Sequence, residues 1–209
     1  PEQGRFRTNV DEVLGIVDAL GALRGGQLEV GAAPHSLRAA TIEQIRALQD
    51  GMPQGRPLHI HIAEQQAEVL QCLDALKRRP VEYLMGEIAL DPRWCLVHAT
   101  HLNDDEVTAL AGSGAVAGLC PTTEANLGDG LFPLEPFIAA GGRFGIGSDS
   151  HVSQSPVEEL RWLEYGQRLQ HQRRNVAVTR EQRNVGDYLW QAALQGGAEI
   201  LEGSVNGMG

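Results

Sequence analysis

Apolar residues recur along this chain in two alternating rhythms, and that alternation leaves few folds open to it. Short apolar or period-two runs are followed each time by segments whose apolar residues stand three and four apart. This is the pattern of strands alternating with helices around a parallel sheet. The unit repeats about five times. The expected strands are 27–33, 58–63, 94–98, 115–120 and 143–147, and the expected helices are 8–24, 41–49, 65–77, 81–86, 106–111, 131–140, 156–170 and 181–195. Pro121 ends the fourth strand, and 122–130 reads as a long loop.

The length of 209 residues with 42% apolar content suits one sizeable core, so the chain is read as a single domain or part of a larger one. A formal charge of −10 and the absence of a long Lys/Arg run argue against nucleic acid or an anionic membrane as partner. The three cysteines, Cys72, Cys95 and Cys120, are odd in number, lack CxxC spacing and lie in apolar stretches. Free thiols in a reducing compartment are expected, and with them a cytoplasmic location. No apolar stretch approaches the roughly 20 residues of a spanning helix, and no basic-then-apolar signal segment is present. The chain begins at Pro1 without Met and ends in the weakly patterned 203–209, so it reads as a piece of a longer protein.

In parallel α/β barrels the functional groups come from the carboxyl ends of the strands and the loops just after them. Here those positions hold His35 after the first strand, His61 and Glu64 at the second, His98 at the third, 122–126 after the fourth and Asp149 at the fifth. A lone histidine at a strand end is usually a hydrogen-bonded bystander, but titratable groups at successive strand ends mark a site. His61 and Asp149 are the candidate metal ligands, because imidazole and carboxylate suit zinc or a similar ion with a position left open for water. His59 shares the strand face of His61 two residues deeper and reads as an interior residue. His101 is read as a loop or helix-entry residue and His171 as a solvated one.

Glu64, three residues past His61, falls where a carboxylate can stand beside a metal and shuttle protons without ligating it. The plainer alternative is a salt-bridged loop residue. His35 and Arg38 straddle a loop-to-helix start, where the arginine fork matches a carboxylate; a helix-surface arginine is the equal alternative.

Four motifs carry a resemblance: His59-Ile-His-Ile-Ala-Glu-Gln65, Cys95-Leu-Val-His-Ala-Thr-His-Leu102, Gly118-Leu-Cys-Pro-Thr-Thr-Glu-Ala-Asn-Leu-Gly-Asp-Gly130 and Gly145-Ile-Gly-Ser-Asp-Ser-His151. Over about Phe6 to Gly197 the chain resembles the formimidoylglutamate deiminases of the amidohydrolase superfamily. The HxxE pattern and terminal Asp are superfamily signals, whereas the Thr-Thr-Glu-Ala-Asn loop and the run from Ser148 through Arg168 are more specific.

The resemblance implies a partial (β/α)8 TIM-like amidohydrolase barrel holding strands four to eight, without the N-terminal strands and small β domain of the family. It implies one zinc per complete site, with His61 and Asp149 as ligands, Glu64 and His98 beside the bound water, and His35 and Arg38 on the glutamate end of the substrate. Iron and manganese share these ligands. Glu64, His98 and Asp149 are then the catalytic residues, and the reaction is hydrolysis of the formimino C–N bond of N-formimino-L-glutamate to N-formyl-L-glutamate and ammonia, a step of histidine degradation. A homodimer fits the family. Because the family's first-strand His-x-His has no counterpart here, activity of the isolated chain is not expected from two zinc ligands alone. The rival readings are another amidohydrolase deaminase, such as a guanine-type aminohydrolase, and a catalytically incomplete chain that acts only in binding or structure. An aromatic content of 5% favours the acyclic substrate over a stacked purine.

Overall fold

A computed structural model describes residues 7–21 and 29–202 of the chain. Its elements follow the order α1 (Val10–Gly21), α2 (Ile42–Gly51), β1 (Leu58–Ile62), α3 (Gln66–Leu76), α4 (Pro80–Glu87), β2 (Trp94–His98), α5 (Asp104–Ser113), β3 (Val116–Leu119), α6 (Pro121–Leu127), α7 (Leu134–Ala139), β4 (Arg143–Ile146), α8 (Pro156–His171) and α9 (Val185–Glu202). Reciprocal capping fixes two helix starts: Thr41 with Gln44 opens α2, and Asn103 with Glu106 opens α5. Residues 22–24 of the expected first helix, 27–28 of the expected first strand and the tail 203–209 lie outside the described residues.

All three strand pairings are parallel, and the sheet order β1-β2-β3-β4 is the chain order. A sheet that adds each new strand on the same side, with no reversal, is the wound progression of a barrel rather than the switch-point topology of an open doubly wound sheet. The described residues therefore form a partial α/β barrel of four strands with their helices.

Two expectations change. The strand at 27–33 is reduced to a single parallel bridge, Ala32 to Leu58, although the segment still runs beside β1: the Ala32 amide donates to Pro57, the His59 amide to Ala32 and the His61 amide to His35. Pro34 supplies no N–H and interrupts a regular ladder there. The expected loop at 122–130 begins instead with helix α6, closed by Gly128 in the left-handed conformation. Pro121 both ends the strand and opens the helix. At the first helical position its missing N–H costs no bond and its φ is already helical.

Leu58, Ile60 and Ile62 of β1 are fully buried, together with Trp94, Leu96, Leu119 and Phe144 from the other strands, in one core that includes residues of the surrounding helices. His59 and His61 alternate with them and face the other side, where only part of the surface is covered. On that second side Cys95 and Val116 pack with Ile200 of α9. The helix approaches β4 through Gly196, where any side chain would run into the Phe144 carbonyl.

All three thiols are free. Burial pushes Cys95 up to about 12, and burial with the charges of Glu124, Asp149 and Glu159 raises Cys120 further. Burial and three glutamates also raise the half-buried Cys72. Because the thiolate is the reactive form, the native chain is expected to react only slowly with a thiol reagent near neutral pH, and at all three positions once unfolded. Rapid native modification of Cys95 or Cys120, read by peptide mass, would contradict this packing.

Candidate active site

The strand carboxyl ends bring His61, His98 and Asp149 together. One ligand-capable atom from each lies within 4.8 Å of the others, a nitrogen, nitrogen and oxygen set. His61 comes from β1, His98 is the last residue of β2, and Asp149 lies in the turn after β4. Backbone strain concentrates at the same ends: Ala63, His98, Ala99, Asp149 and His151 all have positive φ, between 43° and 68°. Each such residue costs on the order of 1–3 kcal/mol and persists only where its surroundings hold it.

Those surroundings are visible bond by bond. The buried Glu68 of α3 accepts from the backbone amides of Ala63 and Glu64 at 3.1 and 3.0 Å, shaping the turn that presents Glu64. The Ala99 amide donates to Ile62 and the His101 amide to Ala63, lacing the β2 end to the β1 end. Thr123 of α6 meets the Asp149 turn on both flanks: its hydroxyl lies 3.1 Å from the Ser148 carbonyl and accepts from the Ser150 amide at 3.2 Å.

Hydrogen bonding also sets the imidazoles. His61 Nδ1 lies 2.9 Å from the His35 carbonyl oxygen. A carbonyl only accepts, so Nδ1 carries the hydrogen, and in the neutral ring the lone pair is on Nε2. The three rings form a row, with centroids 5.0 Å apart from His35 to His61 and 5.7 Å from His61 to His98. His98 is buried between two carboxylates, with Nδ1 3.3 Å from Glu124 and Nε2 3.7 Å from Glu64. Burial pulls its pKa down, but the bond to Glu124 and the charges of Glu124, Glu64 and Asp149 outweigh this and hold it above the ordinary imidazole range. The deeper His59 is lowered, by burial first and then by His61. Three carboxylates around two imidazoles make a field that suits a cation, and nitrogen and oxygen donors suit a divalent one; the residues present fit a bound metal.

Of the residues singled out from sequence, His61, Glu64, His98 and Asp149 converge, and His35 joins them through its carbonyl and ring. Arg38 lies in the exposed turn three residues on and makes no ion pair among the described residues. His101 holds the Asp129 carbonyl in the loop entering α5, and His171 is exposed at the end of α8, 3.9 Å from Glu135. Sequence reasoning missed Glu68, Thr123 and Glu124. The first sat unremarked among ordinary helix formers, and the other two lay in a segment read as loop, noted only for following the fourth strand.

A parallel sheet wound in one direction, with metal-capable side chains gathered at its carboxyl ends, places the chain in the class of α/β barrel proteins that work from that face. The chain belongs to the amidohydrolase family, whose model matches residues 4–183. It is 52% identical over 200 residues to formimidoylglutamate deiminase of Pseudomonas aeruginosa, a match covering 95% of this chain and 44% of that protein. It is 39% identical over 101 residues to a 5-methylthioadenosine/S-adenosylhomocysteine deaminase of Nitratidesulfovibrio vulgaris, covering 48% of the chain and 23% of that protein. Among solved structures, an amidohydrolase from Brucella melitensis superimposes with a TM-score of 0.88 at 44% identity, over 93% of this chain and 43% of that one. An adenosine deaminase from Xanthomonas campestris with bound zinc shares the fold at a TM-score of 0.79 and 24% identity, over 92% and 44%. The chain thus spans less than half the length of these relatives. No helix among the described residues is long and apolar enough to cross a membrane.

Proposed function

We propose that this chain supplies the carboxyl-terminal half of a deiminase site that hydrolyses N-formimino-L-glutamate to N-formyl-L-glutamate and ammonia. The observation that carries the reading is the His61–His98–Asp149 group with Glu64 at its edge; the 52% identity to a formimidoylglutamate deiminase supports the substrate. His61 and Asp149 would hold a divalent ion, zinc by preference, and His98 lies within ligand reach of both. When bound, the ion supplies a water of lowered pKa and polarises the group under attack.

The chain's own residues do the rest. Water adds to the formimino carbon and gives one proton to Glu64, which delivers it to the terminal nitrogen; the proton left on the new hydroxyl passes by way of Asp149 to the same nitrogen as the C=O forms and the C–N bond breaks. Ammonia leaves and the formyl group remains. His98, held from behind by Glu124, presents Nε2 toward Glu64 and the reacting water. Arg38 and His35 stand on the adjoining loop, where the arginine fork matches the carboxylates of the glutamate end.

The test is ammonia release from N-formimino-L-glutamate, with metal analysis, on the 209-residue chain and on the whole reading frame that encodes it. Release by the metal-loaded long form supports the reading, and none from that form overturns the substrate. In the active form, Arg38→Ala is expected to raise KM by about 10- to 100-fold with metal content unchanged, the loss of a charged hydrogen-bonded pair of about 1.5–3 kcal/mol. An unchanged KM would remove Arg38 from the substrate site.

A further inference from the structure

The first turn of α6 is buried although no residue of it belongs to the donor group. It is anchored from outside: Glu159 of α8 accepts from the Thr122 amide at 2.8 Å and from its hydroxyl at 2.6 Å. From this anchored turn Glu124 reaches the end of β2. Its Oε1 accepts from the Cys120 amide at 2.9 Å and lies 3.3 Å from His98 Nδ1.

We infer that Glu124 is the positioning residue for His98, fixing the imidazole as the Nδ1–H tautomer so that the Nε2 lone pair faces the donor group. An imidazole with no fixed partner divides between its two tautomers. Here the Nε2–H form would set the Nδ1 lone pair against an acceptor-only carboxylate at 3.3 Å. The alternative bond it would gain, to Glu64, is longer at 3.7 Å. His61 is fixed in the same sense by the His35 carbonyl, so the two rings present matching nitrogens. Partners that hold a ring from behind orient it and raise its basicity as a ligand.

The importance of this orientation to catalysis rests on the deiminase reading, but the tautomer does not. It is read directly on the 15N-labelled 209-residue chain, without metal or substrate, from long-range 1H–15N couplings at a pH where His98 is neutral. The hydrogen is expected on Nδ1 in the wild type. Glu124→Ala should move it wholly or partly to Nε2, and Glu124→Gln, whose amide oxygen still accepts, should restore it. Thr122→Val, which loses one bond of the anchor to α8 but none to His98, should leave it on Nδ1. Hydrogen on Nε2 in the wild type, or on Nδ1 in a folded Glu124→Ala, overturns the proposal. Titration with zinc alone against a chelator gives the second readout: an affinity about 10- to 100-fold weaker in Glu124→Ala than in Glu124→Gln. Equal affinities would overturn the positioning role. A wild-type chain that shows the expected tautomer yet binds no zinc would count against the metal reading alone.

Discussion

Replacing Glu64 by Gln is expected to lower kcat for ammonia release by about 10²- to 10⁴-fold, the range a positioned acid–base group contributes. The metal content and KM of the assembled enzyme should change little. Glu64 is fitted to this role by what its carboxylate does not touch: among the described residues no Lys or Arg stands within ion-pair reach, and the one basic group near it is the His98 imidazole, 3.7 Å away. A structural glutamate in a salt bridge would look different, as Glu106 does with Arg79 at 2.6 Å. The turn that carries Glu64 is built by the Glu68 carboxylate on the Ala63 and Glu64 amides. The Gln variant therefore keeps the backbone and the volume, losing only the charge and the ability to take a proton. An equal loss of metal in Glu64→Gln would make Glu64 a ligand, and a kcat near that of the wild type would remove it from the proton path.

The same comparison shows why some of this site was legible in the sequence and some was not. Strand β1 could be read because its period is two: Leu58, Ile60 and Ile62 alternate with His59 and His61, so one face is apolar and the other carries imidazoles. Position at a strand's carboxyl end then separated His61 from His59, and the same rule found His98 and Asp149. The supporting carboxylates obey no such rule. Glu68, Glu106, Glu124, Glu159 and Glu164 are all buried, and each accepts at least one backbone amide from a turn, loop or helix end. In the sequence four of them are glutamates on expected helices and Glu124 falls in an expected loop, and in both places exposure is the ordinary expectation. Four of them nonetheless fall within the opening residues of a helix, Glu68 in α3, Glu106 in α5, Glu124 in α6 and Glu159 in α8. A carboxylate is favoured there by the helix's free amides and dipole, and that is the signal that was available. Helix α6 escaped for a related reason: seven residues with no apolar stripe show no period, and only Pro121 and Gly128 mark its ends.

Gly196→Ala is expected to destabilise the chain by about 1–3 kcal/mol or more, the usual cost of forcing a group into a filled space, while Gly197→Ala next to it should stabilise by about 0.4–1 kcal/mol. The two glycines share helix α9 and, as residues, the same intrinsic penalty in a helix interior. They differ only in what a methyl would meet. At Gly196 it would be driven into the carbonyl of Phe144, with the amide nitrogen of Gly145 3.1 Å away, and backbone in the middle of β4 cannot swing aside as a flexible side chain would. At Gly197 there is nothing within 4 Å. Relief at Gly196 requires α9 to lift from β4, withdrawing Ile200 from Cys95 and Val116. Because β4 leads directly into the turn that presents Asp149, the same movement loosens one corner of the donor group. Zinc affinity of the Gly196→Ala chain should therefore fall along with its unfolding midpoint, whereas Gly197→Ala should raise the midpoint and leave the affinity alone. Equal midpoints for the two variants in urea would mean that α9 does not close on β4 as tightly as this packing requires.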